Sequence, residues 1–83
     1  MDVLDDLKSI IGDTLGLGER ARALHAGSGL LGEIPEFDSM AVVSVLTAVE
    51  EHFGVQIDDD EVSADIFESV GSLARFVSAK LEA

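Results

Sequence analysis

One serine hydroxyl stands where it could take part in covalent chemistry. Ser39 follows Asp38 at the point where a loop gives way to a long apolar helix. The start of a helix carries backbone N–H groups without intrahelical partners, and these groups favour a phosphate or another anion. Serine is also common there as a structural cap. Here Asp38 is the better cap, because its carboxylate can accept the N–H groups two and three residues on, so the Ser39 hydroxyl is left available to a modifying enzyme.

Other catalytic patterns are weak in this sequence. The glycines of segment 16–21 fit a dinucleotide fingerprint in spacing, but the segment follows a helix instead of the required strand. The acidic run 58–61 lacks the glycine and the distal glutamate of an EF-hand loop. A hydrolase would need His25 or His52 bonded to Ser39, and no glycines form a nucleophile elbow around that serine. We therefore predict a protein that is not an enzyme and has no metal site.

Length and charge restrict the classes of partner. The 83 residues predict a single domain over residues 1–83 with a modest core. Seventeen acidic and five basic residues give a net charge of -12. This charge argues against nucleic acid and anionic membranes and favours partners with Lys and Arg patches. Because no cysteine is present and no segment resembles a signal peptide or a membrane span, we expect a cytoplasmic monomer without thiol chemistry of its own.

Apolar spacing predicts the two long helices nearest to Ser39. The first runs from just after Asp2, which adds negative charge to its first turn, to about residue 15 and ends at Gly16. The second runs from about Ser39 to Phe53 and stops at Gly54. Its inward stripe consists of Val42, Val45, Leu46, Val49 and Phe53.

The connection between these helices is unusually long for a small domain. Segment 17–37 is rich in glycine, but it carries apolar residues, including Leu31 and Phe37, that are spaced to hold it on the core. A structureless connection of this length would be unusual. We therefore predict an ordered loop with a helical turn near 19–25.

Two further helices complete the predicted fold. A short third helix begins in the acidic run 58–61 and reaches residue 62 or 65, because negative charge suits a helix start. The last helix begins behind Ser69 as its cap. Its inward residues are Leu73, Phe76, Val77 and Leu81. With no alternating strand pattern, the sequence predicts an all-α fold, a small four-helix bundle with a long first loop and a short third helix.

A second strip of side chains runs down the helix that Ser39 begins. We call it the docking strip, and it consists of Met40, Val43, Ser44, Thr47, Glu50 and Glu51, with Asp38 at its start. Apolar knobs for contact and carboxylates for steering are typical of a protein-binding surface. The alternative is that Val43 widens the core stripe and the glutamates are merely solvated.

The order of these segments carries a family resemblance. Residues 31–40, Leu-Gly-Glu-Ile-Pro-Glu-Phe-Asp-Ser-Met, are followed by an apolar helix and by residues 49–57, Val-Glu-Glu-His-Phe-Gly-Val-Gln-Ile. This order resembles an acyl carrier protein, whose hallmark is Asp-Ser-Leu before a helix that closes on a Glu-Glu-x-Phe-x-Ile-x-Ile type of segment. The similarity covers essentially the whole chain, including the Ser-Val-Gly-Ser-Leu of residues 69–73 at the start of the last helix.

The resemblance implies that Ser39 carries 4′-phosphopantetheine. The group would be attached through a phosphodiester and installed from coenzyme A by a Mg²⁺-dependent phosphopantetheinyl transferase. Its terminal thiol would hold an acyl group as a thioester, which fits a chain without cysteine. The implied partners are that transferase and the acyl-loading and acyl-transferring enzymes, which carry basic patches and include an adenylate-forming acyl ligase for some carriers.

Departures from the family pattern bear on the pathway. Met40 replaces the usual leucine, and Ala41 and Ser44 stand where carriers of fatty-acid synthesis have acidic residues. The sequence is therefore compatible with a carrier of a fatty-acid-like, a polyketide-like or another specialised acyl pathway. A peptidyl carrier of nonribosomal synthesis is an alternative, although such carriers usually have two glycines before Asp-Ser, where this chain has Glu36 and Phe37. A second alternative is an acidic helical adaptor in which Ser39 only begins a helix.

Overall fold

Over the residues that the structure describes, the fold consists of three α-helices and three short 3₁₀ segments. The structure is a computed structural model that describes residues 3–35 and 37–82, without the side chain of Asp59. The helices are α1 (Val3–Leu15), α2 (Ser39–Phe53) and α3 (Val70–Glu82), and the 3₁₀ segments are Gly18–Ala23, Asp59–Glu61 and Ala64–Phe67. Over these residues the chain forms no strand beyond one isolated bridge, so the predicted all-α fold is confirmed. The predicted contributions of Asp2 and Glu36 lie outside the described residues.

Local signals fix the ends of α2. Asp38 precedes the helix in an extended conformation, and its side chain accepts the Ala41 N–H at 2.9 Å. At the other end Gly54 adopts φ +69°, and its N–H donates to the Glu50 carbonyl at 2.9 Å. A left-handed residue at this point favours glycine. The predicted bounds of α2 are therefore confirmed at both ends.

The core lies between α1, α2, α3 and the long loop. Its buried residues are Leu7, Ile10, Ile11, Leu17, Leu24, Leu30, Phe37, Ala41, Val45, Val49, Phe67, Val70, Leu73 and Val77. On α2 the predicted stripe is confirmed at its centre, whereas Val42 and Leu46 are only half-buried. Two residues predicted to face inward do not do so, because Leu31 is 39% exposed and Leu81 is 44% exposed. Among the described residues no helix is long and apolar enough to cross a membrane.

The long first loop is ordered by backbone hydrogen bonds to the start of α3. The bonds run from the Leu30 N–H to the Glu68 carbonyl, from Leu31 to Phe67, from Val70 to Ser28 and from Gly71 to Ala26, at 2.8 to 3.2 Å. The Val70 and Gly71 N–H groups belong to the first turn of α3, and without these bonds they would have no partners within the helix. Ser69 and Ser72 exchange reciprocal side-chain hydrogen bonds at this point, so the predicted Ser69 cap is confirmed.

The single short third helix predicted from the acidic run is replaced by two 3₁₀ segments. Short helices are marginal because nucleation is costly, and here long-range contacts decide the backbone path instead. The Glu50 carboxylate accepts the Ile57 N–H at 2.8 Å. Glu61 accepts the Asp58 N–H at 2.9 Å and pairs with Lys80 at 2.8 Å. Two carboxylates therefore hold the segment between α2 and the second 3₁₀ turn.

The Glu61 contacts predict a specific acid sensitivity. The hydrogen bond from Lys80, followed by that from the Asp58 N–H, holds the pKa of Glu61 below its ordinary value of 4.5. A carboxyl whose pKa is lower in the folded than in the unfolded chain stabilises the fold above the unfolded pKa, and this contribution is lost as the pH falls through the folded pKa. In urea unfolding, Glu61→Gln is expected to be less stable than wild type at pH 7, and the difference should shrink from about pH 5 downwards.

A matched control separates this effect from general charge removal. Glu68→Gln removes one carboxylate from an exposed side chain close in sequence and should show no comparable dependence on pH. A stability difference for Glu61→Gln that stays constant between pH 7 and pH 3 would contradict the contribution of the Lys80 pair.

Candidate functional site

The loop that leads to Ser39 is fixed immediately before it. Phe37 is buried, and its ring lies 5.6 Å from that of Phe67, with an angle of 44° between the ring planes. Its N–H donates to the Ile34 carbonyl at 2.9 Å. Aromatic pairs of this geometry add to the stabilisation from burial. The chain therefore enters α2 from an anchored residue, two positions before the serine.

The cap at the start of α2 leaves the Ser39 hydroxyl without a structural task. Asp38 Oδ1 accepts the Ala41 N–H, and the Asp38 carbonyl accepts the Val42 N–H at 3.0 Å. The prediction that Asp38 is the cap is therefore confirmed. Ser39 is exposed, and its hydroxyl forms no hydrogen bond with the part of the chain that the structure describes. An exposed, unengaged hydroxyl is accessible to another protein.

The surroundings of Ser39 fit a phosphate ester. The backbone amides of Ser39 and Met40 belong to the first turn of a 15-residue helix and have no partner over residues 3–35 and 37–82. Such amides, with the helix dipole, favour negative charge. The first turn inside α2 contains no acidic residue, and the nearby Asp38 carboxylate already accepts a hydrogen bond. The site thus offers a hydroxyl to carry the group and dipoles that suit its charge.

The docking strip lies on the solvent side of α2. Met40 is 75% exposed and Val43 is 61% exposed. Ser44, Thr47 and Glu51 are exposed as well, whereas Glu50 is half-buried. The alternative in which Val43 widens the core is therefore wrong. Whether partners bind this strip stays a prediction.

Two strip residues also have structural contacts. The Thr47 hydroxyl donates to the Val43 carbonyl at 3.0 Å within the helix. Glu50 accepts the Ile57 N–H, so its carboxylate orders the chain after α2 besides adding negative charge to the surface. Sequence reasoning missed this second role, because the contact depends on the path of the chain beyond Gly54.

The two departures noted in the first half of α2 have different meanings in three dimensions. Ala41 is buried, with 7% of its surface exposed. An acidic side chain there would have to leave the core or be desolvated, which is costly. Ser44 is exposed and lies in the docking strip. Only the difference at Ser44 therefore changes the charge that a partner meets directly.

Neither histidine forms a hydrogen bond with Ser39 within the described residues. His52 lies thirteen positions further along α2, roughly 20 Å at the rise of a helix, and its Nε2 is 3.5 Å from Asp6 Oδ2. His25 Nδ1 accepts the Gly27 N–H at 3.1 Å within its own turn. The described residues therefore include no histidine that is bonded to Ser39. They also contain no group of three His, Asp or Glu side chains that could hold a metal ion.

Comparison with known proteins agrees with this geometry. Residues 5–77 match the family model of the phosphopantetheine attachment site. The acyl carrier protein of Sinorhizobium fredii and the acyl carrier protein AcpP of Rhizobium meliloti are each 33% identical over 76 residues, covering 92% of this chain and 91% of the relative. The acyl carrier protein of Clostridium acetobutylicum is 30% identical over 80 residues, with 96% and 97% covered.

A solved structure extends the similarity to the whole fold. The solution NMR structure of a holo acyl carrier protein from Nitrosomonas europaea is 57% identical, covers 100% of both chains and superposes with a TM-score of 0.92. The capped serine therefore lies at the start of the second long helix in a helical bundle of this shape. The chain belongs to the acyl carrier protein family, whose members bear phosphopantetheine.

Proposed function

We propose that Ser39 carries 4′-phosphopantetheine and that the protein holds acyl groups as thioesters on this arm and presents them to partner enzymes. The observation that carries the assignment is the exposed Ser39 hydroxyl, which has no hydrogen-bond partner among the described residues while the adjacent Asp38 supplies the cap. When attached, the arm supplies a thiol to a chain that has no cysteine. Ser39 Oγ would form the new bond to the phosphorus next to the pantetheine and give up its proton, while the pyrophosphate P–O bond of coenzyme A breaks and adenosine 3′,5′-bisphosphate leaves.

The chain's own residues position and steer the arm but do no chemistry on the cargo. Asp38 and Gly54 fix the two ends of α2, and the Phe37–Phe67 pair fixes the loop before Ser39. A flexible arm raises the effective concentration of its cargo at a docked enzyme. We infer a carrier role without catalysis, since no histidine is bonded to Ser39 among the described residues.

The proposed partners are basic proteins that handle coenzyme A or acyl groups. A net charge of -12 attracts surfaces rich in Lys and Arg and speeds encounter. These partners include a phosphopantetheinyl transferase and acyl-loading and acyl-transferring enzymes, with an adenylate-forming ligase among the candidates for loading. The cargo is proposed to be acyl, since the curated relatives named above are acyl carriers. The pathway is proposed to be fatty-acid-like, polyketide-like or another specialised acyl pathway.

Mass spectrometry of the wild-type chain tests the attachment site. Incubation with coenzyme A, Mg²⁺ and a broadly acting transferase is expected to add the mass of one phosphopantetheine. Fragmentation of the modified peptide should place the added mass on Ser39. Addition at another serine, or no addition with several transferases, would overturn the assignment and favour a helical adaptor without a prosthetic group.

The docking strip predicts how partner turnover responds to surface changes. Val43→Asp places a charge in the centre of an apolar contact and is expected to lower kcat/KM of an acyl-transferring partner by roughly tenfold, ~1.4 kcal/mol. Glu51→Lys is expected to lower it by about threefold, mainly through slower association. Steady-state kinetics with holo protein as the varied substrate measures both. Glu50→Lys is less informative, because it also removes the Ile57 contact.

Matched substitutions elsewhere serve as controls for these two variants. Leu81→Asp introduces the same charge at another exposed apolar position, and Glu68→Lys reverses a charge at another exposed position. Both should retain wild-type kinetics. Normal turnover in Val43→Asp and Glu51→Lys would remove the docking strip from the proposal while leaving the attachment site intact.

A further inference from the structure

A small basic groove lies on one flank of this acidic molecule. Its lining residues are Asp5, Lys8 and Ser9 of α1, with Ala21 and Arg22 of the Gly18–Ala23 segment, and its volume is about 380 Å³. The chain has only five basic residues against seventeen acidic ones. Two of the five meet here, so positive charge is locally concentrated where the molecule as a whole is strongly negative.

Close packing brings the two cations of the basic groove together. Gly12 of α1 is buried, and a Cβ on it would lie 2.5 Å from Ala21 Cβ. The absence of a side chain at Gly12 therefore lets the Gly18–Ala23 segment approach α1 closely. Arg22, directly after Ala21, is thereby held beside Lys8, fourteen residues away in sequence.

Neither cation forms an ion pair within the described residues. Lys8 is half-buried and Arg22 is exposed, and the ion pairs over residues 3–35 and 37–82 that involve lysine or histidine are Lys80 with Glu61 and His52 with Asp6. The two cations of the basic groove are therefore available to bind carboxylates, although the protein as a whole is acidic.

The basic groove is separate from the docking strip. On α1, the residues that line a second groove against α2 are Ile10, Asp13 and Thr14, whereas Asp5, Lys8 and Ser9 project toward the Gly18–Ala23 segment. At 100° per residue these two sets lie on different flanks of α1. A partner could therefore occupy the basic groove while α2 is engaged.

We propose that the basic groove binds an acidic segment of a partner protein. Lys8 and Arg22 would pair with Asp or Glu carboxylates of that segment, while Ala21 and the aliphatic stems of the two cations contact its apolar atoms. The volume exceeds what a single small anion fills, and the groove is open, which suits a stretch of chain. The -12 charge repels every acidic ligand, so the two cations favour a short segment with few carboxylates over nucleic acid or a second copy of this chain, which carry many more negative charges. Asp5, on the groove wall, weakens the site.

Titration of the ¹⁵N-labelled protein with a capped Glu-Glu-Leu-Glu-Glu peptide tests this proposal without involving the arm. Saturable shifts are expected at the amides of Lys8, Ser9 and Arg22. Arg22→Glu and Lys8→Glu should each raise the apparent Kd roughly fivefold, and Asp5→Asn should lower it by about twofold. Arg22→Gln and Lys8→Gln give the same direction with a smaller change in net charge.

Arg75→Glu is the matched control, since Arg75 is exposed on α3 outside the groove and its reversal changes the net charge by the same amount as Arg22→Glu. It should leave the Kd within about twofold of wild type. Equal weakening by Arg75→Glu, or no saturable shifts in wild type, would overturn the proposal. Equal shifts with inorganic phosphate would assign a simple anion site instead, and shifts that depend on protein concentration alone would assign a second copy. Any of these results leaves the Ser39 assignment untouched.

Discussion

Ser39→Ala is expected to abolish phosphopantetheine attachment while leaving the fold intact. The substitution removes the only atom of this side chain that can form the ester, so the loss should be complete instead of partial. The hydroxyl is exposed and has no hydrogen-bond partner among the described residues, and the cap of α2 comes from Asp38. Alanine is also a better helix former than serine. The free energy of unfolding should therefore change by no more than about 0.5 kcal/mol.

Intact-mass analysis after transferase treatment measures the first part, and urea unfolding followed by circular dichroism measures the second. Ser44→Ala is the matched control, because Ser44 is another exposed serine of α2, five residues further on. It should be loaded like wild type. An adduct on Ser39→Ala would show that another side chain carries the group, and unfolding of that variant would show that Ser39 has a structural role.

The bounds of α2 could be predicted because the signals that set them are local. The Asp38 cap and the left-handed Gly54 act within one turn of the helix ends. The exposure of the docking strip followed from helical periodicity alone, since Met40 and Val43 lie on the side away from the buried stripe. Ala41 was not part of the predicted inward stripe, and only its packing in three dimensions shows that it is buried.

The path of residues 55–67 could not be predicted because distant residues determine it. Glu50 binds the Ile57 N–H, Lys80 binds Glu61, and Phe67 is buried against Phe37. None of these contacts leaves a periodic signal within the segment. The acidic residues at its start favour a helix in isolation, but they do not outweigh contacts made from α2, α3 and the first loop.

Local geometry alone does not determine the role of Ser39. A capped helix start with a spare hydroxyl is compatible with both an attachment site and an ordinary surface serine. The ordered resemblance along the chain distinguished the two interpretations, and the match over residues 5–77 agrees with it. The basic groove was not foreseen, because Lys8 and Arg22 are far apart in sequence. The one available signal was Gly12, a glycine inside an amphipathic helix, which often marks a close approach of another segment.

Phe67→Ala is expected to cause the largest loss of stability among the substitutions considered. Phe67 is almost completely buried, and it is the largest side chain in the core that is fully enclosed. Truncation of such a residue costs about 3–5 kcal/mol through lost burial and the cavity left behind. The free energy of unfolding of a domain is about 5–15 kcal/mol in total, and the value for a small domain lies toward the lower end of this range. At roughly 4–8 °C per kcal/mol, the melting temperature should fall by about 12–40 °C.

The effect should reach the site because Phe67 supports the residue that precedes the Asp38 cap. Loss of its ring leaves Phe37 without its aromatic partner and loosens the anchored approach to Ser39. Urea unfolding measures the stability, with Phe67→Leu and Phe76→Ala as controls. Phe67→Leu keeps most of the volume, and Phe76 is only half-buried, so each should lose less than half as much. A loss below about 1 kcal/mol in Phe67→Ala would mean that the core can close around the missing ring. The 3₁₀ segment that carries Phe67 would then be a minor contributor to the fold, and the position of Ser39 would depend on the α2 cap alone.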